Sequence, residues 1–403
     1  MGLRVAVIGG GLGGLCLAQG LRKAGIDVTV YERDATSAMR RQGYRLHVDA
    51  RAGLALQRCL PPELWELFLA TCSRASTRFT VVTEHLRQLH EVAGDPAVDT
   101  FAAATLATSV NRQTLREILA RGLDVEYGRE FVGYELTGDL VHAVFADGSH
   151  ADADLLVGAD GVNSAVRRQY LPESEVIDTG GLSVYGKTPL TEETSKLVPP
   201  SLLDGFTAVI GGQVGMATGL VRFRKAPGEA GLSPVGDYMM WAVTAEQRLF
   251  RVSQDRLDAM AAAELHALTG SMIRSWHRDL RALHALADID ETFLVRIRTS
   301  VPTPAWKPSR VTVLGDAIHA MSPARGSGAN TALQDAGLLC HVLTEAAPDE
   351  KSLLAAVGAY EAQMREYGNA AVEASRKAEA EYARRRGGPM FWLYRRLARN
   401  RPS

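Results

Sequence analysis

The sequence predicts an α/β fold: a Rossmann-like nucleotide-binding domain assembled from separated segments, a β-sheet domain inserted between them, and a long C-terminal helix. Three observations carry that expectation. The chain opens on an apolar strand that runs into a glycine turn and a helix, Val5-Ala6-Val7-Ile8-Gly9-Gly10-Gly11-Leu12-Gly13-Gly14. Two later apolar runs end in the same way, at Gly158-Ala159-Asp160 and at Gly315-Asp316. Between those two, residues 176–253 are rich in β-formers and glycine and carry no nucleotide signal.

The opening unit is the most informative. Strand, turn, helix and a second strand ending on Glu32 fit within about 30 residues, the span of a dinucleotide-binding βαβ unit. Gly9 permits the tight turn, Gly11 lets backbone approach a pyrophosphate, and Gly14 lets the helix pack on the strand. Leu12 and Gly13 complete the turn, and the helix N-terminus offers unpaired N–H groups to phosphate. Glu32, about 20 residues on, suits a ribose 2′-OH and would repel a 2′-phosphate. The turn alone does not separate FAD from NAD.

The later elements follow from pattern. Residues 33–41 are polar, and Gly43-Tyr44-Arg45-Leu46-His47-Val48 alternates as a half-buried strand does. Arg45 and His47 project from one face of it. They are candidates for a substrate pocket, although a solvated polar face is the ordinary reading. Asp49 caps a helix through Leu54, Leu56 and Leu60, closed by Pro61-Pro62. Residues 75–105 read as strands with a turn at Gly94-Asp95-Pro96, and Val110-Asn111-Arg112 leads into a helix. Residues 124–127 form a short strand, and 140–146 with Asp147-Gly148 a hairpin. Residues 257–286 are helical in pattern, and 331–343 form a further helix. Leu353, Val357, Tyr360, Met364 and Tyr367 make one apolar face of the long helix. The expected division is nucleotide domain at 1–75, 106–175 and 291–345, inserted domain at 76–105 and 176–290, and helical segment at 346–403.

Composition narrows the classes. The chain has 403 residues, 46% hydrophobic and 23% charged, with a formal net charge of -1. That suits a globular protein of two domains and offers no basic stripe for nucleic acid. Cys16, Cys59, Cys72 and Cys340 are scattered without a C-x-x-C, which argues for a reducing compartment and against a metal site. The nucleotide strand begins near the first residue, with no leader before it, and no run approaches the roughly 18 apolar residues of a membrane span. A cytoplasmic location is expected.

The segments at Gly158-Ala159-Asp160-Gly161-Val162-Asn163-Ser164, Gly315-Asp316-Ala317-Ile318-His319-Ala320-Met321-Ser322-Pro323 and Gly326-Ser327-Gly328-Ala329-Asn330 join the opening turn in a fixed order. On its own the first of these is equally an ordinary capped turn. Together they resemble the FAD-dependent aromatic monooxygenases of the para-hydroxybenzoate hydroxylase type, whose FAD domain has the GR2-type flavoprotein fold. The resemblance implies FAD at Gly9, Gly11, Leu12, Gly13, Gly14, Glu32 and Arg33. It places Arg41 before Gly43 as a mobile basic residue, Arg112 near the flavin, and Asp160 in a segment tied to both FAD and NAD(P)H. It assigns Asp316 to the ribityl chain, Pro323 to the isoalloxazine, and Gly326, Gly328, Ala329 and Asn330 to its N1/O2 edge. Departures are Ile318 for the usual Ala, Ser327 for the usual Gln, and the polar Tyr44-Arg45-Leu46-His47.

The implied reaction uses NADH or NADPH to reduce FAD, then inserts one oxygen atom from O2, through a flavin C4a-hydroperoxide, into an aromatic or polycyclic small molecule. Hydroxylation is expected. Baeyer–Villiger oxygenation, a reductase, a halogenase and a non-catalytic flavin protein are the alternatives; the halogenase Trp-x-Trp-x-Ile-Pro segment is absent. No catalytic side chain is assigned. His47, His319 and Tyr185 are conceivable bases, with His319 read as structural. Met216, Phe223, Met239, Met240 and Trp241 are candidates for the pocket wall, although apolar sheet residues ordinarily form core. A monomer or homodimer is expected. Membrane contact through the basic, aromatic stretch at 384–396 is disfavoured.

Overall fold

The computed structural model describes residues 2–36, 43–76, 78–95, 97–198, 202–346 and 349–387. The Arg41 expectation and most of the basic, aromatic tail lie outside them. The chain opens with β1 (Arg4–Ile8), α1 (Leu12–Lys23) and β2 (Asp27–Glu32). Next come β3 (Arg45–Asp49), α2 (Ala50–Cys59), α3 (Pro62–Thr71), β4 (Arg78–Thr83) and β5 (Gln88–Ala93). The pair β6 (Ala107–Asn111) and α4 (Arg112–Ala120) leads to β7 (Val125–Tyr127), β8 (Phe131–Thr137), β9 (Leu140–Phe145), β10 (His150–Ala153) and β11 (Leu155–Gly158). After α5 (Ala165–Tyr170) the second domain begins with β12 (Val176–Pro189), α6 (Glu192–Leu197), β13 (Phe206–Gly211), β14 (Val214–Val221) and β15 (Tyr238–Glu246). It continues through α7 (Gln247–Phe250), α8 (Gln254–Asp258), α9 (Ala262–Met272), α10 (Arg278–Ala285) and β16 (Phe293–Ser300). The chain returns through β17 (Val311–Val313), α11 (Asp316–His319), α12 (Gly328–Glu345) and α13 (Glu350–Gly387).

The nucleotide domain is built on a five-stranded parallel sheet ordered β17-β11-β1-β2-β7. Its central strands are buried on both faces, which is why they read as continuous apolar runs. Helices α1 and α12 pack together beside it, with α2 against α12. A three-stranded antiparallel sheet β10-β9-β8 and the two-stranded ribbon β3-β6 complete this half.

The second domain is a seven-stranded sheet ordered β16-β12-β15-β14-β13-β4-β5. Strand β16 pairs antiparallel with β12, from Tyr185 opposite Phe293 to Val176 opposite Ser300, so this sheet continues past the boundary expected at 290. Strand parity divides its residues cleanly. Met239, Trp241 and Val243 face a core that includes Leu265, Trp276, Leu280 and Leu283 from the covering helical layer. Tyr238 and Met240 point the other way, toward Tyr44 of the nucleotide domain.

Behind the sheet, His284 is buried and stacks on His266 with ring centroids 4.2 Å apart. Burial, and then the His266 charge, push its pKa down to about 4 from an ordinary 6.5. The folded state thus holds the neutral ring. Its contribution is complete above the unfolded value and is lost as pH falls from 6.5 toward 4. At about 1.4 kcal/mol per pH unit, that amounts to about 3 kcal/mol. Over this window His284→Gln is expected to lose less stability than the parent in denaturant melts. Equal losses in the two proteins would refute the assignment.

Candidate active site

The parallel register places the three glycine-bearing turns side by side. Ile8 pairs with Gly158, and Gly158 with Val313, so all three strands end on one edge. Ligands of open α/β sheets bind at that carboxyl edge. Gly9 has φ +111°, and a Cβ there would lie 2.4 Å from the Ala159 carbonyl oxygen. A Cβ on Gly14 would lie 2.3 Å from Gly9 O, so the helix closes directly on its own turn. Gly11 differs: its nearest neighbour beyond the adjacent chain is 4.0 Å away, which leaves open space beside the start of α1. No side chain caps α1 at Gly11, and its first turn, which includes Leu12 and Gly13, holds no acidic residue. An uncapped helix start beside open space is a fitting cradle for a pyrophosphate.

Glu32 is buried and accepts from the backbone N–H groups of Gly10 (2.8 Å) and Asp34 (2.9 Å). Arg116 of α4 donates through Nε to Gly10 O at 2.8 Å, and its guanidinium lies 3.8 Å from Glu32. The carboxylate therefore fixes the glycine turn. Arg33 is exposed at the end of β2. Gly43 is buried, its carbonyl held by Asn111 Nδ2 at 2.8 Å.

Asp160 is occupied by its own turn. Its oxygens accept from Ser164 Oγ at 2.5 Å and from the N–H of Ala165 at 2.7 Å, at the start of α5. It shapes the loop that touches Gly9, through capping of the kind the sequence also allowed.

The third turn centres on a buried carboxylate that the sequence did not single out. Asp335 of α12 accepts from Gly315 N (2.7 Å), His319 Nε2 (2.6 Å) and Tyr367 OH (2.6 Å). Burial pulls the His319 pKa down, but the Asp335 charge and hydrogen bond outweigh it, and the net shift is upward. His319 is therefore a buried tie between the turn and α12, as its structural reading anticipated. Asp316 is exposed at its surface, yet its surroundings still desolvate the carboxylate. That desolvation pushes its pKa up, against the pull of His319 and Arg112. The start of α12 lies close by: a Cβ on Gly328 would be 3.8 Å from Asp316 Oδ1. Pro323 and Gly326 are exposed, and Ala329 is half-buried at the head of the helix. Asn330 is buried and wholly engaged, accepting from Asp49 N at 2.9 Å and donating to His47 O (2.9 Å) and Gly326 O (3.1 Å). It ties the glycine loop to β3 rather than reaching outward.

The second sheet supplies a floor. One cross-strand row runs Val81, Ala208, Ala217, Ala242, Tyr185, Phe293, and its neighbour runs Phe79, Phe206, Gly219, Met240, Lys187. Tyr185 and Phe293 stack at 5.5 Å, and Tyr44 leans on both. The Arg112 guanidinium sits 5.8 Å over the Tyr44 ring. Of the expected wall residues, Met240 and Phe223 face this side; Met216, Met239 and Trp241 belong to the core behind the sheet. Arg45 is 91% buried against the floor, because its 9% exposure is all that remains, and so is not a solvated residue. His47 is exposed in the cleft, its pKa lowered by burial and by Arg45.

Arg116, Asn111 and Asp335 are the functional residues that sequence reasoning missed. Asp335 left a signal, a carboxylate on the Leu333–Ala336–Leu339 apolar face of α12. Asp335→Asn would leave at least one of its three donors unmet and His319 without its counter-charge. A loss of about 3 kcal/mol is expected, read as a lower denaturation midpoint. A midpoint unchanged from the parent would sink that role.

Residues 2–375 match the FAD binding domain family. The chain is 34% identical over 394 residues to the dual O-methyltransferase/FAD-dependent monooxygenase elcB of Phaeosphaeria nodorum, an alignment covering 88% of this chain and 42% of that one. It is 34% identical over 392 residues to the dual O-methyltransferase/FAD-dependent monooxygenase CTB3 of Cercospora beticola, covering 90% and 44%. It thus spans less than half the length of these curated relatives. A solved Photorhabdus luminescens structure, named as an FAD containing monooxygenase, superposes with TM-score 0.80 at 35% identity, covering 93% of this chain and 97% of that one. With an uncapped α1 start, an open Gly11 and three turns on one sheet edge to receive the cofactor, the chain belongs to the FAD binding domain family.

Proposed function

We propose that this protein is an FAD-dependent, NAD(P)H-consuming monooxygenase that hydroxylates an aromatic or polyketide-like small molecule. The observation that carries the reading is the floor of the second sheet. Phe79, Val81, Phe206, Ala208 and Ala217 are only half-buried, although residues between them on the opposite face, such as Val82 and Val209, are fully buried. An apolar, partly open sheet face beside a flavin-type cofactor site suits a flat hydrophobic substrate. The relatives named as FAD-dependent monooxygenases support the same class.

Bound FAD would supply the redox and oxygen chemistry, and the chain positions and shields it. The α1 start and Gly11 would hold the pyrophosphate, Glu32 with Arg33 beside it the adenosine ribose, and Asp316 the ribityl hydroxyls. The N–H groups at the α12 start, Gly328 and Ala329, would favour negative charge on the flavin ring system. The Tyr44, Tyr185 and Phe293 rings, in contact with one another, would keep water from the flavin. His319 is sequestered by Asp335, and burial drives the Tyr185 pKa upward, so its phenol stays protonated. Of the three conceivable bases, His47 remains. Its ring is neutral near pH 7 and shares the cleft with Arg45, so it suits removal of a substrate hydroxyl proton. The four cysteines are free and buried, in keeping with a cytoplasmic, reducing location.

The test is oxidation of NADH and of NADPH by the FAD-loaded protein across phenols, quinones and polycyclic ketones under ¹⁸O₂. Substrate-stimulated oxidation with one labelled oxygen in the product is expected. Full flavin occupancy with no stimulation and no product would overturn the reading. Asp316→Ala is expected to weaken FAD binding by roughly tenfold to a hundredfold, read as flavin retained through gel filtration. Unchanged retention would remove Asp316 from the site.

A further inference from the structure

Three arginines are buried among the described residues: Arg45, Arg116 and Arg167. Arg116 bonds Gly10 O and faces Glu32, and Arg167 donates to Val162 O and Ala317 O. Arg45 makes no hydrogen bond or ion pair among the described residues, and its Nε is buried without an acceptor. Its guanidinium carbon lies 5.3 Å from the centroid of the Phe206 ring, and Tyr238 adds an electrostatic interaction. The neighbouring cation on this face is different, since Lys187 has Glu291 at 3.3 Å. Leaving a buried guanidinium without a counter-ion is costly. Burial lowers the Arg45 pKa only to about 10, so it keeps its charge at neutral pH.

Geometry lays that side chain on the second sheet. A Cβ on Gly219 would sit 2.6 Å from Arg45 Cδ, so the glycine is what lets the side chain lie on the sheet. Tyr238 beside it already has a partner, because its hydroxyl accepts from Asn111 Nδ2. Immediately alongside run Ala208 and Ala217, half-buried, with the buried Ala242 and the Tyr185–Phe293 stack beyond them. Small residues there leave room for a flat ring, with the guanidinium at its margin.

We infer that Arg45 is the anchor of an anion subsite, and that the ligand of the floor is a planar aromatic oxyanion, a carboxylate or a phenolate, whose charge pairs with the guanidinium. This rests on the floor being the substrate site. The planar fork of arginine matches a carboxylate by two parallel hydrogen bonds and a phenolate by one. A phenolate held there would also be the more electron-rich form of the ring.

The test uses the FAD-loaded full chain without NAD(P)H, so that only binding is read. Three probes are titrated by flavin difference absorbance and equilibrium dialysis: 2-naphthoate, its neutral methyl ester, and 4-nitrophenol, whose colour reports ionisation. The parent is expected to bind at least one oxyanion about tenfold or more tighter than the ester. Arg45→Met should abolish that preference, Arg45→Lys should restore part of it, and FAD content should be unchanged in both. A carboxylate ligand predicts the preference for 2-naphthoate. A phenolate ligand predicts that bound 4-nitrophenol is more ionised than free. The inference is overturned if neither oxyanion outbinds the ester, if no probe binds at millimolar concentration, or if Arg45→Met keeps the preference. Loss of FAD from Arg45→Met also overturns it, by making Arg45 a cofactor residue. The oxygenase reading is scored separately by NAD(P)H oxidation in the parent. An Arg45-dependent preference without stimulated oxidation keeps the subsite and fails the oxygenase.

Discussion

The parallel ladder Ile8–Gly158–Val313 is the constraint on which the site depends. A strand buried on both faces spends its backbone groups on its neighbours to the last residue, and the chain can leave only at the edge. Here Ala159 N bonds Ile8 O at 2.7 Å, and Leu314 N bonds Gly158 O at 2.9 Å, so three turns leave from adjacent strands, each one strand spacing from the next. Crowding follows. The first turn touches the carbonyl of the second, and the α1 start is pressed on Leu314, where the third begins. Helices α1 and α12 pack on each other behind this edge, so both N-termini arrive at it together. The cofactor cradle thus inherits its rigidity from the sheet and owes little to loop chemistry.

Buried charge is used in two distinct ways. Glu32 and Asp335 each sit beneath a glycine turn, and each is surrounded by donors: two backbone N–H groups and Arg116 for the former, one backbone N–H, His319 and Tyr367 for the latter. Buried charge is tolerated when every partner is supplied, and the complete set then fixes one geometry. Removing any member would free a turn. Arg45 has no such set among the described residues. The contrast separates charges that hold the scaffold from a charge that is left for a ligand.

The five-stranded sheet and its turns were legible because their information is local. An apolar run, a glycine and an acidic residue within ten positions identify a strand end without knowledge of the rest of the chain. The second domain was legible only as β-rich. Met239 and Met240 are adjacent and chemically identical, yet one lies in the helix-covered core and the other faces the nucleotide domain. Strand parity decides that, and parity is set by pairing partners far away in sequence. The same non-local pairing draws residues 293–300 onto β12 and into the second sheet. Asp160 illustrates the opposite limit. Its segment is recognisable, but whether its oxygens face a ligand or the start of α5 depends on a turn geometry that the residue types alone do not specify.

Arg45 and His47 show why the substrate side is harder to read than the cofactor side. A polar residue at alternate positions of a strand looks the same whether that face meets water or a second domain. Here one strand does both: Arg45 is pressed on Gly219 and Phe206, while His47, two residues on, stays open to the cleft. Asn330 joins this strand to the glycine loop through His47 O and Asp49 N, so the residues facing the floor are positioned by the cofactor half. The floor itself comes from the other domain, through side chains as small as Ala208, Ala217 and Gly219. Substituting those residues would reshape the ligand space without disturbing the ladder or its turns. A division of that kind would let one cofactor scaffold serve different ring systems, with the proposed Arg45 subsite selecting among them.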